Sequence, residues 1–111
     1  MFLTENDILG IRNVLNIFYS DIAIRRPIAD LSVQAGMSSS KFKQAFKFYT
    51  GNPVFAFQQG YRMNMAYDLL VYSRSPVNKI AILIGFVHLT HFNHAFLERF
   101  LISPYRLRKS L

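Results

Sequence analysis

A short pattern of residues occurs twice in this chain, and the duplication restricts the possible folds more than any other feature of the sequence. The first copy is Leu31-Ser32 followed by Ala35-Gly36-Met37, and the second is Ile80-Ala81 followed by Ile84-Gly85-Phe86, at a constant offset of 49 residues. Beyond the glycine, the copies continue with Phe42, Ala45 and Phe46 and with Phe92, Ala95 and Phe96, at an offset of 50. Each copy predicts a short helix, a tight turn and a second helix.

The residue types in each copy fit that geometry. A small residue, Ser32 or Ala81, allows the two helices to cross closely. Gly36 and Gly85 tolerate the positive φ of the turn. This arrangement is typical of a helix-turn-helix, whose second helix enters a DNA major groove. An ordinary helical hairpin is the alternative for either copy alone, but two copies with matched spacing favour DNA binding.

Apolar spacing along the rest of the chain predicts an all-α fold with seven helices and no strand. The first helix begins after Thr4, with Asp7 as its capping-box partner. The later helical segments are 27–36, 38–50, 53–74, 76–84, 89–101 and 104–109. In the longest of them, the expected apolar stripe is Val54, Phe57, Tyr61, Met65 and Leu69, with Ala66 and Leu70 beside it.

These elements predict two helix-turn-helix subdomains, 1–51 and 76–111, joined by a linker helix within 52–75. As a helix, 53–74 is roughly 30 Å long at 1.5 Å per residue. One turn of duplex DNA is about 34 Å. A linker of that length is expected to set two recognition helices in successive major grooves.

Composition and charge narrow the functional classes. The chain has 111 residues, of which 51% are apolar, and a formal net charge of +7, which favours a polyanionic partner such as nucleic acid or an anionic membrane surface. Solubility alone is the other explanation of the charge. No apolar run reaches the roughly 20 residues of a membrane span. The absence of cysteine excludes a small disulfide-bonded scaffold and is compatible with the reducing cytoplasm, which is the expected location. The sequence contains no nucleophile–base pair and no phosphate-binding loop, so an enzyme is not expected. No cofactor is expected either.

The residues also resemble the DNA-binding domain of the AraC/XylS family of bacterial transcription regulators. The resemblance covers about residues 8–108 and includes Ala35-Gly36-Met37-Ser38, Phe46-Lys47, Phe55-Ala56-Phe57, Tyr61-Arg62, Leu69-Leu70, Ile80-Ala81, Gly85-Phe86, Ser103-Pro104 and Arg108. It implies binding to promoter DNA and transcription regulation, with activation favoured and RNA polymerase as a partner. It also implies a ligand-sensing or dimerisation domain outside this chain.

Several positions depart from the family pattern. Leu101 stands where glycine is common, and His88 where a small N-capping residue is usual. Leu107 replaces a frequent tyrosine, while Gln44 and His94 occupy positions where arginine is common. The second copy is therefore expected to hold DNA less firmly.

The helical period divides each second helix into a buried and an exposed face. Phe42, Ala45, Phe46 and Tyr49 are expected inside in the first copy, and Phe92, Ala95, Phe96 and Phe100 in the second. The predicted base-reading residues are Ser39, Ser40, Lys43, Gln44 and Lys47, and Leu89, Thr90, Asn93 and His94. The predicted phosphate contacts are Ser38, Lys41, Lys79, Arg99, Arg106 and Arg108.

Other functions have weaker support. His88, His91 and His94 lack a cysteine or carboxylate that would complete a zinc site, so no metal is expected. The aromatic residues have core spacing rather than the arrangement of a single-strand stacking platform. A degenerate helix-turn-helix pair that binds another protein or a membrane surface remains the alternative function.

Overall fold

The computed structural model describes all 111 residues and contains seven α-helices and no strand. The helices are α1 (Glu5–Ser20), α2 (Ile28–Ala35), α3 (Ser39–Thr50), α4 (Val54–Tyr72), α5 (Val77–Leu83), α6 (Leu89–Phe100) and α7 (Pro104–Lys109). The predicted all-α fold with seven helices is confirmed. No helix combines the length and the apolar character needed to cross a membrane.

The helices form two compact units, Met1–Gln59 and Gly60–Leu111. The first unit contains α1, α2, α3 and the start of α4, and the second contains the rest of α4 with α5, α6 and α7. Each unit buries its own apolar side chains, and each contains one copy of the duplicated pattern.

Phenylalanine rings fill the core of the first unit. Phe42 and Phe46 of α3 are fully buried, and Phe18 of α1 is 2% exposed. The ring of Phe46 meets that of Phe57 edge-on at 5.5 Å between centroids and that of Phe18 at 6.3 Å. Edge-to-face pairs of this kind are favoured over parallel sandwiches, so these contacts fix α3 against α1 and the start of α4.

Helix α1 supports the first helix-turn-helix through Asp7, Gly10 and Asn13, which follow one another at intervals of three residues. The predicted capping box is confirmed, because Thr4 Oγ1 accepts a hydrogen bond from the Asp7 N–H and the Asp7 carboxylate accepts one from the Thr4 N–H. Asn13 Nδ2 donates to the Gln34 carbonyl at 3.0 Å. Gly10 lies so close to α2 that a Cβ there would be 2.1 Å from the Ala35 carbonyl oxygen. One line along α1 therefore contacts the end of α2.

The predicted buried stripe of α4 is correct only in part. Phe57, Tyr61, Met65 and Leu69 are only half-buried. Val54 of that stripe and the flanking Ala66 and Leu70 are buried as expected, and they are joined by Gln58, Arg62 and Met63. Two polar residues occupy the buried line, so a search for apolar periodicity misses part of it. Gln58 is held there because its Nε2 donates to the Ile24 carbonyl at 2.7 Å.

The core of the second unit also depends on aromatic rings. Phe92 and Phe96 of α6 are fully buried, with centroids 5.8 Å apart. Phe96 continues the row to Phe100 at 4.6 Å, and Tyr67 of α4 lies 5.0 Å from Phe100. Phe86, the residue after the turn glycine, meets Phe92 edge-on at 5.5 Å. The apolar residue that follows the turn is thus packed against the second helix.

Helix ends distinguish the two copies. Gly51 ends α3 with φ of 85°, whereas Leu101 ends α6 with φ of 60° and is the one residue other than glycine with a positive φ. Ser38 caps α3 by accepting from the Lys41 N–H, whereas His88 makes no side-chain cap to α6. The departures from the family pattern therefore leave α6 less well terminated than α3.

Leu101→Gly is expected to raise the free energy of unfolding of the second unit by about 1 kcal/mol, because glycine adopts left-handed backbone without a steric penalty. Little packing is lost, since Leu101 is 86% exposed. Urea denaturation followed by circular dichroism measures the change. Gly51→Ala is the matched control at the corresponding end of α3 and is expected to destabilise by a similar amount. A Leu101→Gly variant less stable than the parent would contradict the strain argument.

Candidate nucleic-acid interface

The turn between the helices is built by the same hydrogen bonds in both units. Gly36 and Gly85 have φ of 70° and 102°, as the sequence pattern predicts. The Met37 N–H donates to the Ser32 carbonyl at 3.0 Å, and the Phe86 N–H donates to the Ala81 carbonyl at 2.9 Å. This bond closes the end of the first helix and sets the direction in which the second begins. The duplication in the sequence is therefore also a duplication of backbone geometry.

Helix α3 presents a basic face to solvent. Ser39, Ser40, Lys43, Gln44 and Lys47 are all exposed, as expected from the helical period. Neither Lys43 nor Lys47 forms an ion pair within the chain. Ser39 differs from the others, because its hydroxyl hydrogen-bonds to that of Ser32 at 3.2 Å. One predicted base contact is thus already engaged with α2, while the two lysines are available to a ligand.

The start of α3 is shaped by an acidic residue of α1. Lys41 Nζ lies 3.1 Å from Asp7 Oδ1, so its charge is partly balanced inside the unit. The Ser38 hydroxyl accepts the Lys41 N–H at 3.2 Å, which leaves the hydroxyl proton free for another acceptor. Both residues were predicted as phosphate contacts. The structure places them side by side at the N-terminus of α3, where a helix favours anions.

Helix α6 presents a face of different chemistry. Leu89, Thr90, Asn93 and His94 are exposed, and Leu97 is 47% exposed. His94 Nε2 lies 3.4 Å from Glu98 Oε1 on the next turn. The charged residues of α6 are Glu98 and Arg99, whereas α3 carries three lysines and no acid. Fixed positive charge is therefore concentrated on the first of the two candidate recognition helices.

The remaining predicted phosphate contacts fall into two groups. Lys79, Arg99 and Arg106 are exposed. Arg108 is half-buried, and its guanidinium donates to main-chain carbonyls of α4 and of the segment that follows it. Because those bonds use its donors internally, the structure gives Arg108 a bracing role in the second unit.

A helix-turn-helix domain model matches residues 31–110, which is most of the chain. The chain belongs to this helix-turn-helix family. The family is of the AraC type, so the resemblance seen in the sequence is confirmed. Domains of this type bind DNA and regulate transcription.

Solved structures similar to this helix-turn-helix domain cover nearly its whole length. The DNA-binding domain of the transcriptional factor AdpA, in complex with a target DNA, has a TM-score of 0.83 at 22% identity over 91% of both chains. The C-terminal domain of the response regulator yesN from Fusobacterium nucleatum has a TM-score of 0.76 at 26% identity over 94% of this chain and 99% of its own. An AraC-type regulator from Chromobacterium violaceum has a TM-score of 0.79 at 21% identity, over 96% and 95%. These similarities show the fold. No curated protein sequence matches the chain.

Two features of the first helix-turn-helix unit were not anticipated from its sequence. Tyr49 was expected inside but is 38% exposed, because it lies on the last turn of α3, beyond the buried pair Phe42 and Phe46. The Arg25 guanidinium lies 6.0 Å from the centre of the Phe55 ring. The signal for the second feature is weak, since 30 residues separate the partners in the chain.

The Asp7 carboxylate makes the stability of this helix-turn-helix domain depend on pH. The Thr4 main-chain N–H, and after it the Lys41 ammonium, hold the pKa of Asp7 below its ordinary value of 3.8. Because its pKa is lowered in the folded state, ionised Asp7 stabilises the fold at pH values above its ordinary pKa. This contribution is lost as the pH falls through the pKa of the folded state.

Asp7→Asn is therefore expected to lower the melting temperature near pH 7, with a difference from the parent that shrinks as the pH falls below 3.8. Thermal unfolding between about pH 7 and about pH 2.5 measures this difference. Glu5→Gln is the control, because it removes one exposed acidic charge from the same turn without removing these bonds. A difference for Asp7→Asn that does not change over the whole range would contradict the assignment.

Proposed function

We propose that this domain binds specific sequences of duplex DNA with α3 and α6 in successive major grooves and thereby regulates transcription. The observation that carries the proposal is the pair of glycine turns closed by corresponding hydrogen bonds, each followed by a helix with an exposed polar face. In a helix-turn-helix, the second helix reads base edges while the first crosses the backbone.

The exposed face of α3 suits direct reading of bases. Lys43 has the donors that guanine O6 and N7 accept, and Gln44 has the donor and acceptor that adenine presents in the major groove. Ser40 and Lys47 lie on the same exposed face and extend it toward the two ends of the helix. The absence of any acid from α3 removes the main source of repulsion from phosphates.

In the proposed complex α6 makes a weaker and more apolar contact. Asn93 suits adenine, and Leu89 suits the methyl group of thymine. His94 Nε2 lies 3.4 Å from Glu98 Oε1, so Glu98 competes with a base for that ring nitrogen. Lys79, Arg99 and Arg106 are proposed as phosphate contacts that orient the unit.

Family resemblance supports two further parts of the proposal. Activation is favoured over repression, with RNA polymerase as the partner, and a ligand-sensing or dimerisation domain is expected outside this chain. A reporter gene whose promoter carries the selected site tests whether the protein activates or represses transcription. Reporter output that falls when the protein is expressed would contradict activation.

The experiment that tests DNA binding is selection from a random-site duplex library, followed by fluorescence anisotropy at several salt concentrations. Counterion release predicts a log–log slope of about −0.9 for each phosphate contacted. An enriched motif about two helical turns long supports both units as readers, and a motif of half that length contradicts the two-groove arrangement. Absence of enrichment and of salt-sensitive binding would favour a protein-interaction module instead.

Lys43→Ala is expected to weaken binding to the selected site by roughly 1–3 kcal/mol and to relax preference at one base pair. Anisotropy on the selected site and on a scrambled duplex measures both effects. Arg12→Ala is the matched control, because it removes one exposed positive charge from α1 and none from α3. An equal loss on both duplexes would make Lys43 a phosphate contact rather than a base reader.

A further inference from the structure

A groove in the first unit lies directly beside the exposed face of α3. Its volume is about 450 Å³. Ile28 of α2 and Pro53, Val54 and Phe55 at the start of α4 form its apolar lining. Ligand sites in proteins are typically concave surfaces of about 300–1,000 Å³, mostly apolar and with a few polar groups. This groove has that character.

Phe55 is an exposed aromatic residue at the edge of this groove. Its neighbour Val54 is 5% exposed and belongs to the core, whereas Phe55 is 66% exposed. The Arg25 guanidinium lies 6.0 Å from the Phe55 ring centre. A large apolar ring left in water beside other apolar groups favours burial against a further partner.

The polar part of the lining is positive. Lys43 and Lys47 of α3 contribute to the groove, and neither has an acidic partner in the chain. No carboxylate lines the groove. Charge complementarity therefore favours an anion and disfavours a cation.

We propose that this groove binds an aromatic monocarboxylate. The aromatic ring packs on Phe55, Pro53 and Ile28, since ring-on-ring contacts add to the gain from burial. The carboxylate is held by Lys43 and Lys47 through charge-assisted hydrogen bonds.

Occupancy of the groove opposes DNA binding. Lys43, Gln44 and Lys47 line the groove and also form the proposed base-reading face, so one set of side chains serves both ligands. By linkage, each ligand lowers the affinity of the other by the same factor. This competitive part rests on the proposed function, whereas binding of the carboxylate to the free protein does not.

Sodium 2-naphthoate is the probe for the first test, titrated into the DNA-free protein while backbone amide signals are followed by NMR. Saturable shifts are expected at residues of the groove. Phe55→Ala is expected to lower the affinity for 2-naphthoate roughly tenfold. Phe48→Ala is the matched control, because Phe48 is 57% exposed in the same unit but does not line the groove. Equal affinities of the parent and Phe55→Ala would overturn the assignment.

Two analogues separate the contributions. The neutral 2-naphthalenemethanol is expected to bind roughly tenfold more weakly than 2-naphthoate, because it lacks the charge that Lys43 and Lys47 recognise. Octanoate is also expected to bind more weakly, because an aliphatic chain does not stack on Phe55. Neutral and anionic naphthyl probes of equal affinity would overturn the role of the lysines, and octanoate equal to 2-naphthoate would overturn the aromatic preference.

The second test repeats the DNA titration at saturating 2-naphthoate. A loss of DNA affinity that Phe55→Ala relieves supports competition. Unchanged DNA affinity at saturation would overturn the competitive part and leave the proposed function standing. A protein that binds 2-naphthoate in the groove but no duplex would refute the proposed function and the competition while upholding the carboxylate site.

Discussion

Gly10→Ala is expected to destabilise the first unit by about 3 kcal/mol, although alanine is the better helix former. The Cβ that alanine adds would lie 2.1 Å from the oxygen and 2.9 Å from the carbon of the Ala35 carbonyl. Both are main-chain atoms at the end of α2, so no side-chain rotation relieves the contact. Helices α1 and α2 must move apart, and the packing around Ile11 and Leu31 is disturbed with them.

Gly60→Ala is the matched control for this prediction. The atom nearest to a Cβ at Gly60 is Arg99 Nη2 at 3.0 Å, which is the end of a flexible side chain. That substitution is expected to be neutral or to stabilise by up to about 1 kcal/mol, because alanine loses less backbone freedom on folding. Urea denaturation of the two variants and the parent measures the difference. Equal stabilities for Gly10→Ala and Gly60→Ala would show that α1 and α2 do not approach as closely as described.

Arg108→Ala is expected to lower the stability of the second unit by about 3 kcal/mol. The Arg108 guanidinium donates to the carbonyls of Leu69, Leu70, Ser73 and Ser75. The last four carbonyls of a helix have no partner within it, and Leu69 and Leu70 belong to this set in α4. The Leu69 carbonyl also accepts from the Ser73 N–H and hydroxyl, so removing the guanidinium leaves mainly the carbonyls of Leu70, Ser73 and Ser75 without this donor.

Arg106→Ala is the control on the same helix, because Arg106 is exposed and braces nothing. Its effect on stability is expected to stay within about 0.5 kcal/mol. Arg108→Lys is expected to recover little of the lost stability, since an ammonium group donates from a single nitrogen whereas a guanidinium donates from three. Urea denaturation and amide exchange across 69–75 measure both effects. A stable Arg108→Ala variant with weaker DNA binding would return Arg108 to the phosphate contacts.

Local chemistry made much of the fold predictable. The turn glycines Gly36 and Gly85, the capping box of Thr4 and Asp7, and the apolar repeat each act within a few residues of the chain. Such features leave a signal in composition and spacing, because backbone conformation and helical period decide them. The number and order of the helices followed from them.

Contacts between distant residues account for what the sequence alone did not reveal. Arg108 was predicted as a phosphate contact because its actual partners cannot be recognised in a sequence. They are main-chain carbonyls, which every residue has. The pairing of Lys41 with Asp7 joins residues of two helices. Gln58 is buried in α4 through a bond to the Ile24 carbonyl, so apolar periodicity identified only part of the buried face of that helix. The exposed faces of α3 and α6 were located by helical period, whereas the bases they meet stay a prediction.

The contacts of Asp7, Gly10 and Asn13 determine which segment must be grafted to transfer DNA preference to another protein. Segment 28–51 is not a self-sufficient cassette, because α1 supplies the wall behind Ala35 and the anion beside Lys41. A chimera that receives only the two grafted helices lacks both supports. The transplantable block is the whole first unit, 1–59, so target preference is expected to transfer only when α1 and the start of α4 are transferred with α2 and α3.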